Sequence, residues 1–263
     1  MNYWMLSSLS FGIGILVGLT GIGGASLITP MLIVVFQVPA AIAVSSDVVA
    51  ATLMKVVGGL KHWRQQTLDP QIVQWLALGS VPGALTGVGC FHWLQNIWSE
   101  DWNGLLLRLL GSLILVVTLV GMLRLVVSLL LPQVQFPLFP RLDLQTWQGR
   151  CLTIAIGAIL GCLVGLTSVA SGSMFAMVLM AFFQLDARKL VGTDISQAAI
   201  LLSFTSLGHL SLGTVDWGIV GAIWLGSVPG VLVGAKLCQS IPQKPLQAVV
   251  YSMLLLVSWK LVI

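Results

Sequence analysis

Two short stretches that interrupt apolar segments of this chain have residues suited to holding an anion. The first, TGIGGAS, runs from Thr20 to Ser26 and lies between FGIGILVGL and LITPMLIVVF. Backbone N–H groups exposed at a helix break bind anions without a basic side chain, because the positive end of the following half-helix lies behind them. Gly23 and Gly24 favour such a break, and the hydroxyls of Thr20 and Ser26 add donors. We therefore expect a solute-binding site here.

A second copy of this stretch exists, because the two halves of the chain align without a gap at an offset of 147 residues. From Gly14 to Gly87 this alignment gives 28 identities, which indicates an internal duplication. Such repeats are typical of secondary transporters, with the solute held where the repeats meet. The matching tip is Ser168–Ser173, where Ala170 and Ser171 replace two glycines. The residues expected to bind solute at this tip are Thr167, Ser171, Gly172 and Ser173. The alternative is that the small residues only allow helices to pack closely.

Two aspartates occupy equivalent positions, Asp47 in VSSDVV and Asp194 in VGTDIS. A charge near the bilayer centre costs about 2.5–3.5 kcal/mol on insertion scales, so its presence in both halves suggests a proton-coupling site or a gate. The alternative is that each aspartate caps a helix that begins there. Lys55, two turns after Asp47, could balance that aspartate or attract an anion, but we favour a side chain that extends to the membrane surface. Gln197 shares a helix face with Asp194 and would add a polar contact to the solute.

His62 and His209 are also paired by the repeat, and each precedes an aspartate, Asp69 or Asp216, by seven residues. This spacing could suit a metal site or a proton relay. However, TLDP and TVDW are typical of helix starts with a capping aspartate. We therefore expect the histidines to end the preceding helices at opposite membrane faces, too far apart to share an ion.

The composition places these features in a membrane. Hydrophobic residues make up 57% of the 263 residues, charged residues 8%, and the mean hydropathy is +1.02. A soluble domain carries about 25% charged residues, so the chain is an integral membrane protein. Its apolar runs are long and lack strand-like alternation, which predicts helices. The predicted spans are Ala40–Leu60, Gln71–Leu94, Gly104–Leu131, Lys189–Leu210, Trp217–Gln239 and Leu246–Ile263.

Other sequence signals are weak. The N-terminal MNYWMLSSLS lacks the basic region of a cleaved signal peptide. The four cysteines have no CxxC spacing, so we interpret them as packing residues and expect neither a metal site nor a disulfide framework. The net charge of +4 does not indicate nucleic-acid binding, and no cofactor is indicated. The nucleotide-binding pattern GxxxxGK[ST] does not occur.

The predicted fold is an all-α, polytopic membrane protein with two homologous repeats of about four helical segments each. Residues 1–131 form the N-terminal repeat, residues 132–147 a connecting loop and residues 148–263 the C-terminal repeat. A helix over residues 8–36 would be about 43 Å long, whereas the hydrocarbon core is about 30 Å thick. We therefore expect the first segment of each repeat to be a broken, re-entrant hairpin with arms of about 20 Å; a long kinked helix is the alternative. With hairpins the repeats are inverted, and most Lys and Arg residues fall at one face, taken as cytoplasmic.

Several motifs resemble the TauE/SafE family of membrane transporters, also called sulfite exporters. They are GIGGASLITP, VGTD, the H…GTVDW stretch and the doubled GSVPG at 79–83 and 226–230, and the resemblance covers essentially the whole chain. It implies a multi-pass permease of a bacterial plasma membrane for small sulfur-containing anions such as sulfite or organosulfonates.

We therefore expect a secondary transporter, not an enzyme, that moves a small anion by alternating access with proton coupling through Asp47 or Asp194. Its partners would be the anionic solute and the lipid bilayer, and a homo-oligomer is left open. A cation or metal permease or channel is the alternative and would need rings of carboxylate, Met or His side chains. An intramembrane enzyme is less favoured, because no nucleophile and base share a helix face.

Overall fold

The computed structural model of the protein describes residues 2–20, 25–97, 102–130, 142–168, 172–183, 185, 187–211, 213–237 and 243–262. These ranges contain helices and turns but no strand, which confirms the predicted all-α class. The helices in chain order are α1 (Tyr3–Thr20), α2 (Ala25–Val34), α3 (Ala40–Arg64), α4 (Pro70–Ile97), α5 (Trp102–Leu130), α6 (Trp147–Thr167), α7 (Ser173–Phe182), α8 (Ala187–Ser211), α9 (Trp217–Leu237) and α10 (Gln243–Val262).

Six helices in the described ranges are long and apolar enough to cross a membrane: α3, α4, α5, α6, α8 and α9. The predicted arm length of about 20 Å was wrong for α6, because this helix has 21 residues and is about 31 Å long. The reason is a cap that lies before the apolar run: Thr146 Oγ1 accepts a hydrogen bond from the N–H of Gly149 at 3.1 Å. The predicted span Leu246–Ile263 falls in α10, whose apolar stretch Val250–Leu261 is shorter than the other six.

The end of α7 returns to the start of α6. The N–H of Leu142, which precedes α6, donates to the carbonyl of Phe182 at the end of α7 at 3.0 Å. The chain reverses after Thr167, where Ser168 ends α6 in a left-handed conformation with a φ of 63°. This interruption coincides with the predicted second tip. Residues 21–24 of the first tip lie outside the described residues.

Glycines bring α6 and α4 into backbone contact. A Cβ at Gly83 would overlap the carbonyl oxygen of Ala158, and a Cβ at Gly161 would overlap the carbonyl oxygen of Ser80. Small residues with this spacing let helices approach closely in membranes. Because the residue numbers of the contacts rise together, the two helices are parallel. The glycines involved are Gly79, Gly83, Gly87, Gly157, Gly161 and Gly165.

The same contact recurs between α1 and α9 at positions that match by the 147-residue offset. Gly230 packs against the carbonyl of Phe11, and Gly14 packs against the carbonyl of Ser227. Helices α1 and α4 belong to the first half of the chain, and their partners α9 and α6 belong to the second. Each glycine-lined pair therefore joins the two halves.

Helices α3 and α8 are antiparallel and pack between these pairs. Thr52 Oγ1 donates to the carbonyl of Leu202 at 3.0 Å, and Ser45 Oγ lies 3.1 Å from Nδ1 of His209. The residue number therefore falls on α8 as it rises on α3. Helix α3 also packs against α9, and α8 packs against α4.

The predicted caps of α4 and α9 are confirmed. The carboxylates of Asp69 and Asp216 accept hydrogen bonds from the N–H groups two and three residues further on, at 2.8–3.3 Å. The backbone N–H of each aspartate binds a hydroxyl from the other half. Asp69 donates to Thr193 Oγ1 at 2.9 Å, and Asp216 donates to Ser46 Oγ at 3.0 Å.

A Gly83→Ala substitution should lower the melting temperature of the detergent-solubilised protein, because the added methyl must push α4 away from the Ala158 carbonyl at a cost of about 1–3 kcal/mol. Gly89→Ala is the matched control on the same helix, since a Cβ there meets nothing within 4 Å. It should be neutral or stabilising by up to about 1 kcal/mol from helix propensity. Thermal unfolding followed by tryptophan fluorescence would measure both, and equal melting temperatures would contradict the backbone contact.

Candidate functional site

Asp47 is buried in the first third of α3 and contacts both halves of the chain. Its Oδ2 accepts a hydrogen bond from Thr29 Oγ1 on α2 and another, at 3.3 Å, from Ser168 Oγ. Ser168 reaches the carboxylate because its left-handed conformation ends α6 at this point. The alternative that Asp47 and Asp194 cap helices was wrong, because α3 and α8 each begin seven residues earlier, at Ala40 and at residue 187.

Asp194 has a different partner. Its Oδ2 lies 3.7 Å from Nζ of Lys55, and the two side chains are 9% and 18% exposed. The interpretation that Lys55 extends to the membrane surface was therefore wrong. The lysine also does not balance Asp47 on its own helix, because the antiparallel packing of α3 and α8 brings it beside the aspartate of the other half.

Gln197 extends this second site towards α4. Its Nε2 donates to Ser80 Oγ at 2.7 Å, and the whole residue is buried. Three polar atoms on this part of α8 are buried without a hydrogen-bond partner: Oδ1 of Asp194, Oγ of Ser196 and Oε1 of Gln197. The α8 stretch from 194 to 197 therefore has unused hydrogen-bonding capacity next to the half-buried ammonium of Lys55.

His209 was not predicted as part of a site, yet it lies in the polar region around the end of α6. Its Nε2 lies 3.1 Å from the carbonyl of Gly165 and must donate to it, so Nδ1 of the neutral ring accepts from Ser45. Ser45 Oγ is also 2.7 Å from Thr214 Oγ1, and the ring of Phe91 packs edge-on at 5.2 Å. The helix-end position was right, but the burial was missed. The sequence feature that could have pointed to a role for His209 is its pairing with His62 by the repeat.

The described ranges cover the other predicted solute-binding residues only in part. Thr167 is buried, and its hydroxyl donates to the Leu163 carbonyl at 2.6 Å, which leaves it no proton to give an anion. Gly172 is buried and precedes α7 as its N-cap. Thr20, Ser26 and Ser173 lie in α1, α2 and α7, but their side chains are outside the described part of the chain. The same holds for the whole of Gly23, Gly24 and Ser171.

The structure therefore has two polar clusters along the α3–α8 contact. With Thr52 opposite Leu202 and a rise of 1.5 Å per residue, Asp47 and Asp194 lie about 20 Å apart along the helices. The Asp47 cluster contains hydroxyl groups and a histidine, and the Asp194 cluster contains a cation and an amide. His62 and His209 lie at opposite ends of this helix pair. No group of three or more His, Cys, Asp or Glu side chains within the described ranges could hold a metal ion.

Sequence comparisons agree with this membrane architecture. Residues 6–261 match the sulfite exporter TauE/SafE family. The chain is 37% identical over 250 residues to the probable membrane transporter protein YjnA of Bacillus subtilis (strain 168), an alignment that covers 95% of this chain and 96% of that protein. It is 23% identical over 243 residues to the probable membrane transporter protein YdhB of the same organism, with 92% of each chain covered. No solved structure matches the chain. The chain therefore belongs to the TauE/SafE family and is a multi-pass membrane transporter.

Proposed function

We propose that this protein is a secondary transporter that moves a small sulfur-containing anion, such as sulfite or an organosulfonate, across the plasma membrane by alternating access with proton coupling. Its family and both relatives support a membrane permease. The observation that carries the mechanism is the hydrogen bond from Ser168 to Asp47. It joins the end of an interrupted helix in one half to a buried charge in the other half.

The repeats, residues 1–131 and 148–263 joined by residues 132–147, would have inverted orientations in the membrane. Two features of the packing support this. Helices α3 and α8 occupy equivalent positions in the repeats and are antiparallel. In addition, α4 pairs in parallel with α6, as α9 does with α1, through residues that match by the 147-residue offset. Such an arrangement requires α1–α2 and α6–α7 to be hairpins that return to their starting side.

The anion would bind at the interrupted helices. Helix α7 begins at Ser173, and its N-cap residue, Gly172, has no side chain with which to cap the helix. The first N–H groups of α7, at the positive end of its dipole, are therefore suited to an oxyanion. Gln197 would support the solute from α8. The hydroxyls and glycines proposed to complete the site are Thr20, Gly23, Gly24, Ser26, Ser171 and Ser173.

Alternating access fits the two polar clusters, because they lie at different depths of the same helix contact. The glycine-lined pairs α1–α9 and α4–α6 have little freedom to change internally, since their backbones touch. A rocking of one pair against the other around α3 and α8 would open one cluster while it closes the other.

Proton coupling is proposed for Asp47, and gating for the Asp194–Lys55 pair. A buried charge is costly unless it is paired. Among the described residues, Asp194 is paired with a cation, whereas Asp47 contacts only hydroxyl groups. Asp47 therefore needs a cation from solution whenever its cluster is closed, and a proton fits the space without further ligands.

The inverted orientation can be tested at one pair of equivalent positions. Arg64 and Ser211 match by the offset, end α3 and α8 and are both exposed. In a background with the native cysteines replaced, Arg64→Cys should react with a membrane-impermeant maleimide only from the cytoplasmic side, and Ser211→Cys only from outside. Right-side-out and inside-out vesicles would give the two measurements. Labelling of both cysteines from one side would show that the repeats are not inverted.

The proton role can be tested by flux into proteoliposomes. With an inward proton gradient, Asp47→Asn should reduce sulfite uptake at least about tenfold, a loss of about 1.4 kcal/mol of coupling, because a neutral side chain cannot take up and release a proton. Asp143→Asn is the matched control, since Asp143 is exposed and precedes α6. If the Asp47→Asn variant takes up sulfite under the gradient as fast as the Asp143→Asn control does, Asp47 has no role in proton coupling.

A further inference from the structure

The two aspartates are equivalent in the repeat but differ in every described side-chain contact. Thr29 and Ser168 bind Asp47, whereas Lys55 contacts Asp194. The repeat counterparts of these three partners are Ala176, Gly21 and Leu202, none of which has the same functional group. The two sites have therefore diverged through their neighbours while the carboxylates stayed the same.

The Lys55–Asp194 contact is an ion pair of moderate strength. Its N···O distance is 3.7 Å, longer than the 2.7–2.9 Å of a charge-assisted hydrogen bond. Lys55 lies on α3 and Asp194 on α8, so the pair crosses the contact between the two halves. A lysine ammonium has three donors, and this geometry leaves them available to another oxygen at the same position.

The surroundings of the pair contain donors and acceptors without partners. The hydroxyl of Ser196 is buried and unpaired, as are Oδ1 of Asp194 and Oε1 of Gln197. The amide nitrogen of Gln197 already donates to Ser80 at 2.7 Å. A buried polar group without a partner costs free energy. Of the three atoms, only the Ser196 hydroxyl can donate a hydrogen bond, so it is the unpaired group that suits an anion.

We infer that Lys55 is the counter-charge of the transported anion and that the Asp194 carboxylate occupies its place when no solute is bound. A sulfite or sulfonate oxygen carries a negative charge, as a carboxylate oxygen does, and can take the same position beside Nζ, with the Ser196 hydroxyl as a further donor. A single ammonium balances a single negative charge, so the site suits a monoanionic group once the displaced Asp194 carboxylate has taken up a proton. This inference rests on the proposed function, because it adds a counter-charge beside Gln197 to the solute site proposed there.

The test is the affinity of the purified, full-length protein for sulfite, kept under nitrogen, with sulfoacetate as a second probe. Lys55→Gln should weaken the binding of the probe at least about 30-fold. Lys55→Arg, which keeps the positive charge, should still bind the probe. Asp194→Asn should bind about 5–10-fold more tightly than the wild type, because the competing carboxylate is gone. The double variant Lys55→Gln/Asp194→Asn should bind as weakly as Lys55→Gln. Lys260→Gln is the control, since that lysine is exposed on α10.

A purely structural ion pair predicts the opposite pattern. Each single variant would then lower the melting temperature and weaken binding, and the double variant, which leaves no unpaired charge, would recover both. That result, or wild-type affinity in Lys55→Gln, would overturn the inference and leave the proposed function standing. If the wild type binds neither probe while it remains folded, the proposed function fails and the inference fails with it.

Discussion

Backbone contact between helices of opposite halves is the constraint on which this structure depends. Within a bilayer, apolar side chains gain little by leaving lipid for protein, so close van der Waals packing has to hold helices together. Glycines spaced four residues apart supply that packing between α4 and α6 and between α1 and α9. Because both pairs cross from one half to the other, α3 and α8 are brought together between them, and these two helices carry the buried residues Asp47, Asp194 and His209.

The two halves differ in the polar side chains that surround their equivalent aspartates. The packing glycines and the capping aspartates are shared, and they produce the same backbone twice. Around that common backbone, Thr29 and Ser168 surround one carboxylate, and Lys55 neutralises the other. A symmetric framework with asymmetric sites suits a transporter, because the two ends of a transport path face solutions of different composition and must release or capture the solute under different conditions.

Much of the fold could be predicted from the repeat. The alignment at a single offset located the second helix interruption, and TLDP and TVDW gave the starts of α4 and α9. The partner of Lys55 and the burial of His209 could not be predicted in the same way, because both depend on which helix of one half meets which helix of the other. In a chain this apolar, hydrophobic periodicity does not separate a lipid-facing surface from a protein-facing one. The length of α6 was missed for a local reason, since its cap at Thr146 precedes the apolar run.

The exchange of helices between the halves also affects how the protein is made. Helix α1 leaves the ribosome roughly 200 residues before α9, which corresponds to a wait of about 10–40 s at ~5–20 residues per second. During that time its glycine-lined side faces lipid or the insertion machinery instead of its partner. Helix α6, by contrast, emerges after α4 and can pack at once. Packing between the two halves can therefore begin with α4 and α6, whereas α1 has to wait for α9.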